Sequence, residues 1–337
     1  MRHVGSIIKP SSESFDAGGS TFCCAFVDQD DPRTTYLYYT GASEPGWSHY
    51  SIGLAMSSDG QQFNKVSELN PLVDGKTGEF NSQISLTPAV VKVNGNFYMF
   101  FAGGRQRLFR VPARTSIGVA FADDPRGPWT SLGEIAKPDE RWEGWGIDLG
   151  PSIVNLGEGK LLIYYSNVHG KFPVKASSPV LPKYLRRHLG VLKVSIRSRT
   201  TITAQKYRAN PLRHLNGPQG SPSESLFCPG YFSLGKHHIL LPSMSTYSLG
   251  FPFRQYVGIV TDSSPFFVDA ATVSVLIDGP AQKSILEAKT EIALDTPSPV
   301  LRRDELYLYY SAMDRADGIW KIALSIIDKH YFDRIDR

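Results

Sequence analysis

One short pattern recurs five times along the 337-residue chain, and it narrows the possible folds more than any other feature. An apolar strand is followed by a turn and then by a second, aromatic-rich strand that ends in a small residue. The instances pair residues 22–27 with 36–40, 88–91 with 98–102, 151–154 with 162–166, 229–232 with 239–243, and 297–300 with 306–311. Their closing residues Thr40, Ala102, Ser166, Ser243 and Ser311 lie 62 to 77 positions apart. A third strand follows in each repeat, at 51–55, 116–120, 188–192, 256–260 and 320–324. Four of these five carry Gly at the equivalent place, where two sheets can approach closely. β-branched and aromatic residues at this density, with Gly, Pro, Asn and Asp in the turns, read as strands rather than helices.

Five units of about four strands each predict an all-β chain, a five-bladed β-propeller. A linear array of such sheets would leave edges exposed, whereas radial closure leaves only short, protected ones. The whole chain, 1–337, is therefore expected to close as a single domain, with blades at roughly 16–75, 79–135, 143–208, 220–280 and 287–330. The segment before Phe22 is expected to supply the outer strand of the last blade, and residues 328–333 to continue that blade.

Several function classes drop out on composition. With 41% hydrophobic and 20% charged residues and a net charge of +4, the chain is globular and carries no disorder signature. No apolar run approaches the ~20 residues that span a bilayer. Residues 1–10 hold no apolar stretch of signal-peptide length, so a cytoplasmic location is expected. Three cysteines, two of them the adjacent Cys23 and Cys24, give no disulfide framework. No metal-ligand spacing occurs, and neighbours His237 and His238 point to opposite faces of a strand. No phosphate-binding glycine loop is present. The sequence pI of 8.8 and the lack of a recognised module argue against nucleic acid as partner.

The phrase from Ser116 to Trp129, its partner from Ser51 to Gly60, and the recurring Tyr-Tyr-Ser hairpins resemble the five-bladed β-propeller glycoside hydrolase superfamily. That superfamily includes the arabinanase/β-xylosidase, invertase/levansucrase and β-mannoside phosphorylase families. The resemblance covers the whole chain in architecture. It implies three acids at the starts of innermost strands: an Asp base in blade 1, an Asp that tunes pKa and orients substrate in blade 3, and a Glu acid in blade 4. Asp16, Asp148 and Glu224 match in order and spacing. The local motifs depart from the family, because Asp148 stands three residues before its Pro and Glu224 five. In blade 4, Leu226-Phe227-Cys228-Pro229 looks like the Glu-Cys-Pro motif of invertases with Phe227 where the acid belongs. Asp30-Asp31-Pro32-Arg33 only echoes the phosphorylase signature and falls on a hairpin turn.

Glycosyl transfer to water needs one carboxylic acid to protonate the leaving oxygen and one carboxylate to activate water or attack the anomeric carbon. Innermost strands converge on a propeller axis, so acids distant in sequence meet at one mouth, where burial and like charge keep one of them protonated. Asp16, Asp148 and Glu224 are the expected catalytic set, with Glu79, Glu143, Glu291 and Asp295 in reserve; the alternative for each is an acid that caps a turn. The loops expected on the same face hold 11 basic residues against 3 acidic ones, so an anionic sugar, or phosphate as co-substrate, is the expected ligand. Trp47, Arg105, Arg107, Trp145, Arg254 and Asp295 are the expected substrate-binding residues, the tryptophans by stacking on sugar rings. The reading is an inverting hydrolase of an anionic oligosaccharide, with a phosphorylase or glycosyl transferase, and a non-catalytic carbohydrate-binding propeller, as alternatives. No cofactor is expected; Ca²⁺ in the central channel, known in parts of the superfamily, has no recognisable ligand set in the sequence.

Overall fold

The computed structural model describes residues 1–12, 14–44, 49–76, 78–107, 111–168, 187–215, 225–246, 254–270, 273–277, 291–314 and 318–334. β1 (Arg2–Ile8) opens the chain, and the remaining strands fall into five units. Unit 1 holds β2 (Gly19–Asp28), β3 (Asp31–Ala42), β4 (Tyr50–Ser57) and β5 (Asn64–Lys65). Unit 2 holds β6 (Ile84–Val93), β7 (Asn96–Arg107), β8 (Val111–Ala122) and β9 (Thr130–Ala136). Unit 3 holds β10 (Gly146–Asn155), β11 (Lys160–Val168), β12 (Leu189–Ile196) and β13 (Ile202–Lys206). Unit 4 holds β14 (Ser225–Leu234), β15 (His237–Thr246), β16 (Arg254–Asp262) and β17 (Ser274–Ile277). Unit 5 holds β18 (Glu291–Arg302), β19 (Glu305–Asp314) and β20 (Trp320–Asp328), and β1 pairs antiparallel to β20 as its outer strand. Residues past Asp328 turn into a short 3-10 helix, Lys329–Arg334, instead of continuing the strand.

Each unit is an antiparallel meander, and a single parallel pair, Tyr50 with Ile84, joins units 1 and 2 into one sheet. The first strands of the units pack in sequence, β2 on β6, β6 on β10, β10 on β14, β14 on β18, and β18 back on β2. The second strands are buried through most of their length. Leu37, Tyr38 and Tyr39 of β3, and Ile163, Tyr164 and Tyr165 of β11, have no exposed surface. A strand covered by neighbouring sheets on both faces has no polar side to alternate with, so it reads as a continuous aromatic run.

Burying tyrosine requires an acceptor for its hydroxyl. The tyrosine two places before the small closing residue reaches into the next unit: Tyr38 donates to Pro125 O at 2.6 Å, Tyr164 to Pro265 O, and Tyr309 to Gly60 O at 2.8 Å. The last of these ties unit 5 to unit 1. The closing residues form a second belt. Thr40, Ser166, Ser243 and Ser311 each accept the backbone N–H of a residue in the next unit, from Thr87, Cys228, Thr296 and Phe22 at 3.2, 3.4, 2.8 and 2.7 Å. All four donors sit at positive φ, between 38° and 52°, on a bulge that ends the regular pairing. That conformation is costly for a residue with a Cβ, and the hydroxyl gives the displaced N–H a partner.

The repeated glycines serve a different contact from the one expected. A Cβ on Gly53 would lie 2.2 Å from Phe15 Cζ, and one on Gly118 only 2.0 Å from Phe80 Cζ. At Gly53, Gly118 and Gly190 an aromatic side chain from ahead of the first strand makes the close approach, whereas Gly258 meets Met244 and Val273 of its own unit. No helix among the described residues is long and apolar enough to cross a membrane.

Candidate active site

Pairing register fixes which residues of the five first strands are equivalent. Thr21 pairs with Thr40, Leu86 with Ala102, Asp148 with Ser166, Phe227 with Ser243, and Asp295 with Ser311. In units 1, 2, 4 and 5 the regular register breaks immediately afterwards, and in unit 3 it breaks one pair later, after Leu149. The five first strands therefore carry Thr21, Leu86, Asp148, Phe227 and Asp295 at one equivalent register level. Two of these are carboxylates, from units 3 and 5. Units 1 and 4, where the resemblance expects acids, present Thr21 and Phe227.

Arg187, just ahead of β12, organises this level. Its Nη2 donates to both carboxylate oxygens of Asp148, at 2.6 and 2.5 Å, and to Ser166 Oγ at 2.8 Å. Nε donates to Asn167 O at 2.7 Å, which fixes the plane of the guanidinium. The same group lies over the Phe227 ring, 4.3 Å from its centroid, so the side chain at the unit 4 position is a platform for a cation. Ser166 Oγ also donates to Asp148 Oδ1, and Cys228 Sγ lies 3.7 Å from Oδ2. Burial would make the guanidinium easier to deprotonate, but Asp148, Cys228 and Asp295 together outweigh it and Arg187 is held above its ordinary range.

Asp295 is buried at the same level, and Oδ1 takes all its hydrogen bonds: Ser243 Oγ at 2.8 Å, Thr296 N at 2.6 Å and Thr296 Oγ1 at 3.1 Å. Oδ2 has no hydrogen-bond partner among the described residues. Burial pushes Asp295 up to about 6, with Asp148 adding to the rise; Arg187 and the hydrogen bonds from Ser243 and Thr296 oppose it. Thr21 Oγ1, at the neighbouring position of unit 1, is buried with no partner among the described residues.

Asp16 lies elsewhere. It precedes β2 and is fully buried, with Oδ2 held by Lys65 at 2.5 Å, Ser20 at 3.0 Å and Tyr39 at 3.3 Å, and Oδ1 by Ser14 and by Ser11 N. None of these groups is also a hydrogen-bond partner of Asp148. Glu143 has the same surroundings in unit 3: Tyr165 OH at 2.7 Å, Lys206 at 2.6 Å and two backbone N–H groups. In unit 2 the place belongs to Asn81, bonded to Ser85 four residues on, as Asp16 is to Ser20. In unit 2 this position is uncharged.

Arg105 donates to the backbone oxygens of Gly78 and Glu79, so it clasps a neighbouring loop. Trp145 is half-buried in the turn before β10. Arg107 and Arg254 are placed by backbone, on β7 and β16. Trp47 and Glu224 lie outside the described residues, as do the loop residues Lys171, Lys175, Lys183 and Arg186. Among the described residues no cluster of three or more His, Cys, Asp or Glu is placed to hold a metal, and Arg187 sets a cation beside Asp148, so this level does not fit Ca²⁺. One sequence signal points to Asp295: Leu86-Thr87-Pro88, Phe227-Cys228-Pro229 and Asp295-Thr296-Pro297 align on the Pro that follows the bulge.

No curated protein matches the chain in sequence. The sequence profile of glycosyl hydrolases family 43 matches residues 27–194. Solved structures similar to this chain include an endo-arabinase from Bacteroides thetaiotaomicron, at 13% identity and TM-score 0.62, covering 96% of this chain and 97% of that one. An α-L-arabinanase from Cellvibrio cellulosa gives 14% identity and a TM-score of 0.59, covering 92% and 91%. A family 117 glycoside hydrolase from Zobellia galactanivorans gives 14% and 0.60, covering 97% and 90%. The all-β architecture is shared with all three, and over residues 27–194 the chain is similar in sequence to glycosyl hydrolases family 43.

Proposed function

We propose that the chain is a glycoside hydrolase, that it is a single five-bladed propeller spanning 1–337 and that it cleaves an anionic oligosaccharide at the level of Asp148 and Asp295. The observation that carries the reading is the meeting of those two carboxylates around Arg187, on first strands that are far apart in sequence. Ring closure is supported by the packing of β18 on β2 and by the bonds from Phe22 N to Ser311 and from Tyr309 to Gly60. In this reading Asp16 and Glu143 brace units 1 and 3. An anionic substrate is supported by Arg187, whose Nη1 carries no hydrogen bond among the described residues, and by the basic bias that the sequence gives the loops between second and third strands.

The test is release of reducing sugar from oligogalacturonates and from neutral arabino- and xylo-oligosaccharides, with and without inorganic phosphate. Cleavage of the anionic set without phosphate is expected. Phe227 and Arg187 at the unit 4 position favour one second reading, phosphorolysis, in which the guanidinium holds phosphate; strict dependence on phosphate, with a sugar phosphate as product, would establish it. Binding without turnover of any substrate would leave only the carbohydrate-binding alternative.

A further inference from the structure

We infer that Asp295 is the proton donor to the leaving oxygen, in place of an acid from unit 4. The inference rests on the hydrolase reading above and adds to it the residue that performs the acid step.

Three observations support it. The unit 4 position is filled by Phe227 with Arg187 stacked on it, so no proton donor stands there. Asp295 is the second of two carboxylates in the five register positions, and one unit separates it from Asp148. In a five-membered ring every non-adjacent pair is equally spaced, so units 3 and 5 are as far apart as units 1 and 4, where the resemblance expects the base and the acid. Finally, the hydrogen bonds to Asp295 all fall on Oδ1, leaving Oδ2 to carry a proton towards a ligand. Thr21 Oγ1, buried and without a partner among the described residues at the adjoining position, would accept or donate to a sugar hydroxyl beside it.

The groups facing Asp295 are Arg187 ahead of β12, Asp148 on β10, Cys228 on β14 and Cys23 on β2. Burial pushes both thiols up, so neither supplies a negative charge near neutral pH. In the step, the proton on Asp295 Oδ2 passes to the glycosidic oxygen as the bond from that oxygen to the anomeric carbon breaks, the electron pair leaving with the oxygen. Water forms the new bond to the anomeric carbon and its proton passes to Asp148, whose Oδ2 is met by Arg187 and otherwise only by the weak thiol of Cys228. Exchange with solvent returns both carboxyls to their starting states.

The experiment compares wild type with D295N on methyl and 2,4-dinitrophenyl glycosides of a panel of uronic acids and pentoses. A dinitrophenolate leaves without protonation, so only the methyl glycosides need the acid. D295N is expected to lose about 10²–10⁴-fold on methyl glycosides and less than about 10-fold on the dinitrophenyl ones. With the methyl glycosides, the wild-type fall in kcat/KM above pH about 6 should also be absent in the variant. Equal loss on both classes, no loss on either, or the same leaving-group signature in E224Q would overturn the assignment while leaving the hydrolase reading intact. A wild type inert towards both classes would overturn the hydrolase reading and Asp295 with it. If D295N does not fold, S243A serves. Removing that hydrogen bond should move the alkaline limb to higher pH, and an unmoved limb would count against Asp295.

Discussion

At Asp295, the burial that suits an acid works against stability. The folded protein holds this proton up to about pH 6, whereas an unperturbed carboxyl releases it near 3.8. Between those values the folded state binds more protons than the unfolded chain, so stability falls as pH rises through the window and stays lower above it. D295N removes the charge and keeps an oxygen to accept from Ser243 and Thr296. It should be more stable than wild type by on the order of 2–3 kcal/mol at pH 8 and no more stable at pH 3.5, measured by urea melts at both values. Asp16 should behave in the opposite way. D16A removes the partner of Lys65 and of buried Tyr39, at a cost of about 2–4 kcal/mol, which the same melts at pH 7 would register. Sequence spacing could not separate these two acids, because each stands near the start of a first strand. What separates them is register: Asp295 stands directly before its bulge, while Asp16 stands five residues before Thr21 and belongs with Asn81 and Glu143.

Among the elements, the strand-turn-strand repeat was legible because a strand covered on both faces leaves an aromatic run in the sequence. The purpose of the repeated glycines was not, since it depends on which side chain packs against each one. G53A should cost about 1–3 kcal/mol through the clash with Phe15, and pairing it with F15A should recover part of that loss, as a double-mutant cycle would show. The hydroxyl belt was visible only as a run of small residues. S311A leaves the N–H of Phe22 without its acceptor at a strained bulge, and a loss of about 1–3 kcal/mol is expected in chemical denaturation. Arg187 was legible only as one charge in a basic loop. Its place over Phe227 and beside Asp148 follows from the packing of unit 3 on unit 4, which no local pattern encodes.

Across the whole molecule, the last unit is completed from the other end of the chain. β1 supplies its outer strand, Tyr310 reaches His3 at 2.9 Å, and Lys65 of unit 1 donates to Lys9 O at 2.6 Å. Deleting residues 1–9 should uncover the β20 edge and lower the melting temperature by about 5–10 °C, with aggregation on heating, in calorimetry and light scattering. In the proposed closed ring, acids from units 3 and 5 come to one level, and so the placement of the chemistry rests on that ring. The most direct test is a crystal structure with an oligogalacturonate bound to D295N. The glycosidic oxygen should sit within ~2.6–3.2 Å of the residue 295 side chain, with Arg187 facing a sugar carboxylate. A sugar seated instead in the outer groove between units 1 and 2, lined by Asp59, Gln62, Asp124 and Arg126, with the axial mouth empty, would contradict it.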